Sequence, residues 1–88
     1  MKRGETVPRI FLNLQDKLNH RMAVWVIGEM RSQGITQVDL ARERGISQQA
    51  ISMKLKVERF DFEDICCFIR VFKPDTDDIE RLVGKERG

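Results

Sequence analysis

The stretch "GISQQAISMKLK", Gly45 to Lys56, sets two glutamines side by side directly after a Gly-Ile-Ser break. A glutamine side chain ends in a planar amide that carries donors and an acceptor on one head. It neither ionises nor attacks, so its chemistry is recognition. One edge it fits bidentately is that of adenine, whose N6 and N7 are displayed in the major groove of duplex DNA. Such a contact needs Gln48 and Gln49 carried at the tip of a rigid, projecting element. Without that setting they are ordinary polar residues of a helix's first turn.

Other chemistries find less support. The sequence offers no nucleophile–base pair and no phosphate-cradling glycine loop, and an enzyme is not expected. His20, the single histidine, stands beside Arg21 and reads as a surface or helix-cap residue. Cys66 and Cys67 are adjacent, and on a helix their side chains diverge by about 100°, so a bond between them would be strained. With no CxxC and one histidine, a structural zinc lacks ligands; buried free thiols are expected, with no metal or other cofactor. The acidic groups "FEDI" and "DTDDIE" open predicted helices and read as helix N-terminal charges rather than a cation cage.

The elements that must position the glutamines are legible from caps and periodicity. At 88 residues the chain is one domain with a small core. Thr36 caps a predicted helix over 37–44, with Asp39 in its first turn and Leu40 and Ala41 facing inward. Gly45 supplies the left-handed turn. Ser47 then caps a helix from Gln48 to about Leu55, and Ile46 and Ile51 form a hydrophobic staple. Asp61 caps a helix over 62–72, with Phe62, Ile65, Cys66, Ile69 and Phe72 on one face, and Pro74 stops it. Asp75 or Thr76 caps a last helix that carries Ile79, Leu82 and Val83 and ends at Gly84.

Before Gly34 the pattern is mixed. Leu14, Leu18, Met22, Trp25 and Met30 fall near helical spacing, while "VPRIFLNL" also reads as a short strand. Asn19 is a plausible cap for a helix from His20 to Gln33. Residues 1–19 are taken as an arm or extension, 20–84 as the domain, and 85–88 as a polar tail. The fold class expected is all-α: five short helices and no secure strand.

Charge is uneven along this frame. Residues 1–34 carry a net +3, residues 35–59 a net +2, and residues 60–88 a net −3, within an overall formal charge of +2. A polyanion should meet the first two thirds and avoid the tail. No apolar run approaches the roughly 18 residues that cross a bilayer, and the basic start "MKRGETVPRI" lacks a signal core, so a cytoplasmic protein without membrane partners is expected.

Two short helices joined by a tight glycine turn make a helix-turn-helix unit. "TQVDLARERGISQQAIS", residues 36–52, resembles the helix-turn-helix of the lambda-repressor/Cro-like (Xre-type) regulators of phages and bacteria. The resemblance covers roughly residues 20–83, and its specific part is 36–55. It implies a compact five-helix domain with an N-terminal extension, whose second motif helix lies in the major groove of double-stranded DNA and whose dimers bind two half-sites. Family members often carry an apolar residue where Lys54 stands, and a glycine turn where "KVERF" stands; here Leu55 is expected to take the core role.

On that reading Gln48, Gln49, Ser52 and Met53 face bases. Gln37, Ser47, Lys54, Lys56 and Arg59 flank them at phosphates, and Lys2, Arg3 and Arg9 track a groove. The helix "ICCFIRVF" (65–72) is apolar on more than one face. Phe68 and Val71 are therefore candidates either for a homodimer contact, which would match a palindromic operator, or for cover within the chain. The function implied is transcriptional regulation by a phage or mobile-element-type repressor. The competing reading is a protein-interaction module, an antitoxin or anti-repressor subunit on the same scaffold.

Overall fold

Each turn signal in the sequence separates two helices. The computed structural model describes residues 9–84, with side chains from Leu14 onward, and holds α1 (Arg9–Gln33), α2 (Gln37–Arg44), α3 (Gln48–Val57), α4 (Phe62–Phe72) and α5 (Thr76–Leu82). The domain is all-α, and no strand occurs among the described residues. No helix among them is long and apolar enough to cross a membrane.

The caps fix the boundaries. Thr36 Oγ1 accepts from the Asp39 amide at 3.2 Å, and Asp39 Oδ2 accepts from the Thr36 amide at 3.0 Å, a reciprocal box that opens α2. The Thr36 amide foremost, and the Thr36 hydroxyl after it, donate to the Asp39 carboxylate and hold it below the usual carboxylate range. Gly45 ends α2 at φ 82°, and Ser47 Oγ caps α3 by accepting from the Ala50 amide at 3.1 Å. Asp61–Asp64 and Asp75–Asp78 form boxes at α4 and α5, which makes Asp75 the cap there rather than Thr76. Glu58 and Lys73 end α3 and α4 in left-handed geometry, φ 57° and 53°, where a glycine is the usual choice.

Two expectations are corrected. The first concerns α1, which runs unbroken from Arg9. Asn19 is an interior residue rather than a cap, and the part of the strand reading from Arg9 on is excluded. The chain has no proline between Arg9 and Gln33, so nothing interrupts the backbone ladder. The rest of the proposed arm, including Lys2 and Arg3, lies outside the described residues.

The second correction is the rotation of α4. Its buried residues are Asp64, Cys67, Phe68 and Phe72, whereas Phe62 is 78% exposed and Ile69 is exposed too. Asp64 is the reason, because its carboxylate must face α2 and α3, and positions 67, 68 and 71 follow it at helical spacing. The same rotation decides between the alternatives held for Phe68: it is fully buried within its own chain, edge-on to Phe60 at 5.3 Å, while half-buried Val71 packs against the same core. Cys67 is a buried free thiol, raised in pKa by that burial, while Cys66 is half-buried.

The core joins Val26 of α1, Leu40 and Ala41 of α2, Ile51 and Leu55 of α3, and Cys67, Phe68 and Phe72 of α4. Ile46 packs against it from before the α3 cap, as the staple requires. Trp25 meets Phe72 edge-on at 5.7 Å. Each fully buried aliphatic contributes about 1.5–3 kcal/mol.

Asp64 is the charged residue in this core. Its Oδ1 accepts from Arg44 Nε at 2.8 Å, and its Oδ2 accepts from Lys54 Nζ at 2.9 Å and from the Asp61 amide at 2.8 Å. Burial alone would raise its pKa. The bonds from Lys54, the Asp61 backbone and Arg44 outweigh that and hold the carboxyl below its ordinary value. A depressed folded pKa gives stability that is full above the unfolded aspartate value of about 3.9 and is lost as pH falls through the folded value. Asp64→Asn should therefore cost about 3 kcal/mol near neutral pH, the low end for a broken buried pair, because Arg44 and Lys54 keep some access to water. Denaturant melts should show the wild type losing this margin below about pH 4 while the variant's curve stays flatter there.

Candidate nucleic-acid interface

Gln48 and Gln49 open α3, and both are exposed. At 100° per residue, Gln48, Gln49, Ser52, Met53 and Lys56 fall within an arc of about 140° on α3. Ile51 and Leu55, both buried, fall outside that arc and face the core. Met53 stands 57% exposed, and Ser52 is half-buried on the side toward α1. All four candidate base-facing residues thus share one outward face with one of the candidate phosphate lysines.

The first residues of the two motif helices are tied together. Gln48 Nε2 donates to Gln37 Oε1 at 3.3 Å. The bond uses one donor of Gln48 and leaves its Oε1 and second N–H, together with both N–H groups of Gln37, for an external partner. It also restrains a long side chain that would otherwise lose several rotamers' worth of entropy on binding. Gln49 has no hydrogen-bond partner among the described residues and keeps its whole amide outward.

The flanking residues divide. Ser47 is occupied as the α3 cap, which leaves its hydroxyl hydrogen for outside contact. Lys56 is exposed and has no ion-pair partner among the described residues. Arg59 reaches back to Asp16 of α1 at 3.1 Å, an ion pair exposed on both sides and easily exchanged. Lys54 points the other way: its ammonium sits on Asp64, with Asp61 at 3.7 Å, so it is a framework residue and not a free phosphate grip. The buried anion it meets accounts for a lysine at this position of α3. His20 donates from Nδ1 to the Glu58 carboxylate at 3.0 Å, which holds the left-handed end of α3 against α1.

One residue was missed. Arg31, in the last turn of α1, lines an open cleft together with Gln37, Ser52 and Lys56. Its only signal in the sequence is a cation near a helix C-terminus; nothing local places it beside a helix that starts 17 positions later. A second set was missed as well, the Arg44–Asp64–Lys54 network. The Asp61-x-x-Asp64 spacing and the lysine at an apolar motif position are its traces. No group of three or more histidine, cysteine or acidic side chains suited to a metal ion occurs among the described residues.

No protein-family model, no curated protein and no solved structure matches this chain.

The Gln37–Gln48 tie and the Lys54 anchor make separable demands. Gln37→Ala should leave the unfolding free energy within about 0.5 kcal/mol of wild type, as for an exposed surface contact. Lys54→Ala should cost about 2–3 kcal/mol by leaving Asp64 with one cation fewer. Urea melts of both variants, compared side by side, check the division.

Proposed function

We propose that this protein is a sequence-specific double-stranded-DNA-binding transcriptional regulator, a phage or mobile-element-type repressor that acts in the cytoplasm as a homodimer on a palindromic operator. The observation that carries the reading is the exposed α3 face on which Gln48 is braced by Gln37. A braced, exposed amide that keeps its Oε1 and second N–H unused is suited to a bidentate adenine contact. Gln49 takes the adjacent base pair, Ser52 a base edge or phosphate, and Met53 a thymine methyl.

Phosphate contacts flank that face. The α2 N-terminus with Gln37, the Ser47 hydroxyl, Lys56 and Arg31 supply donors. The overall +2 charge does not oppose this, because the salt-sensitive part of affinity counts phosphates contacted and not whole-protein charge. Affinity per monomer is modest on this account, and pairing of two copies on two half-sites supplies the remainder.

The protein-interaction reading keeps support of its own. Leu14 and Leu18 are exposed one turn apart on the part of α1 that precedes the first buried residue, Ala23. On α4 Phe68 is buried while Phe62 and Ile69 stand exposed, and the last third of the chain keeps its net acidic charge.

Selection from a random duplex pool tests the leading reading. The wild type should enrich a palindromic motif that Gln48→Ala/Gln49→Ala loses. On the enriched site, Gln49→Ala alone should cost about 1–3 kcal/mol and relax preference at one base pair. Lys56→Ala should weaken binding evenly across sequences and lower the salt slope by about one. A folded wild type that enriches nothing while co-purifying with a tight protein partner would overturn the DNA reading in favour of the interaction module.

A further inference from the structure

The cleft between α1 and α3 has a volume of about 470 Å³, within the range of small-molecule sites. Its floor is hydrocarbon: Ile27 and Met30 of α1, Ile35 of the connector, and Leu55 of α3. Its rim carries Arg31 and Lys56, with Gln37 and Ser52 as neutral hydrogen-bonding groups. No carboxylate lines it, although the chain has 14 acidic residues. Neither rim cation has an ion-pair partner among the described residues, a state shared with Lys17, Arg21, Arg70 and Lys73, whereas Arg42, Arg44, Lys54, Arg59 and Arg81 are each paired with an aspartate.

A DNA phosphate would answer the rim and leave the apolar floor without a partner. A wholly apolar ligand would cover the floor and leave both cations bare. The occupant that answers both is a small amphiphilic anion, with a carboxylate or sulfonate held by Arg31 and Lys56 and a hydrocarbon body laid over Ile27, Met30 and Leu55. We infer that this cleft is a binding site for a small amphiphilic carboxylate or similar anion, and that its occupation releases DNA. The second half rests on the DNA-binding reading, since Gln37, Ser52, Lys56 and Arg31 would be engaged by one ligand or the other; affinities for two such ligands oppose each other reciprocally.

The full-length protein is titrated with anilinonaphthalene sulfonate, an amphiphilic anion that fluoresces when its surroundings become apolar, with octanoate as competitor. The expected result is a saturable, one-to-one signal that octanoate reverses. It should be at least tenfold weaker in Arg31→Gln/Lys56→Gln and lost in Ile27→Glu. It should be unchanged in Val24→Asp, which alters a separate hollow between α1 and α5. Circular dichroism shows that each variant is folded, and Lys56→Gln alone, at an exposed position, serves if the double variant is not. A signal that never saturates, or one indifferent to the loss of both cations, overturns the site. Added operator duplex should displace the dye; dye and duplex bound together without mutual effect overturn the competition. A wild type that selects no duplex removes the proposed function, while the dye titration still decides the cleft.

Discussion

The Asp64 carboxylate is the constraint on which the rest of the structure depends. It is fully buried, and it joins three helices through Arg44 of α2, Lys54 of α3 and the Asp61 amide at the head of α4. A buried charge tolerates few geometries, because each unmet hydrogen bond carries a desolvation cost. The apolar contacts between these helices are less selective, since a helix can turn by a few tens of degrees and still bury hydrocarbon. Asp64 removes that freedom. It sets which side of α4 faces inward, brings Phe68 into the core and turns Phe62 out.

The same anchor orients the candidate reading face. Lys54 holds one side of α3 to Asp64, and Ile51 and Leu55 hold the neighbouring side to α1, α2 and α4. What is left outward is the arc with Gln48, Gln49, Ser52, Met53 and Lys56. A lysine is thereby moved from the candidate phosphate contacts to the framework, while Arg31 joins the candidate face from α1. The framework and the candidate reading face thus draw on charges of the same sign within one helix, separated only by which side of it they occupy.

The tight packing of the motif is matched by a looser arrangement elsewhere. The first half of α1 runs past the core with Leu14 and Leu18 uncovered, and α3 and α4 end on left-handed Glu58 and Lys73 rather than glycine. Left-handed geometry at a non-glycine residue costs on the order of 1–2 kcal/mol. At Glu58 the contact with His20 gives the strained residue a long-range partner, so the end of α3 is tied to α1 rather than to its own sequence.

Local signals determined a large part of this protein. Caps and breaks at Thr36, Gly45, Ser47, Asp61 and Pro74 set five helix boundaries, because a helix's unsatisfied amides and carbonyls must be met by nearby residues. The Gly45–Ile46–Ser47 turn and the staple of Ile46 and Ile51 made the helix-turn-helix legible for the same reason. Tertiary structure decided what local chemistry leaves free: that α1 runs through Asn19, that α4 turns Phe68 in and Phe62 out, that Lys54 serves a buried aspartate, and that Arg31 stands beside Lys56. Each depends on which group from a distant segment arrives at a given helix face. Apolar periodicity names a face only to within a rotation, and it is the pairing of a buried charge across three helices that fixes the rest.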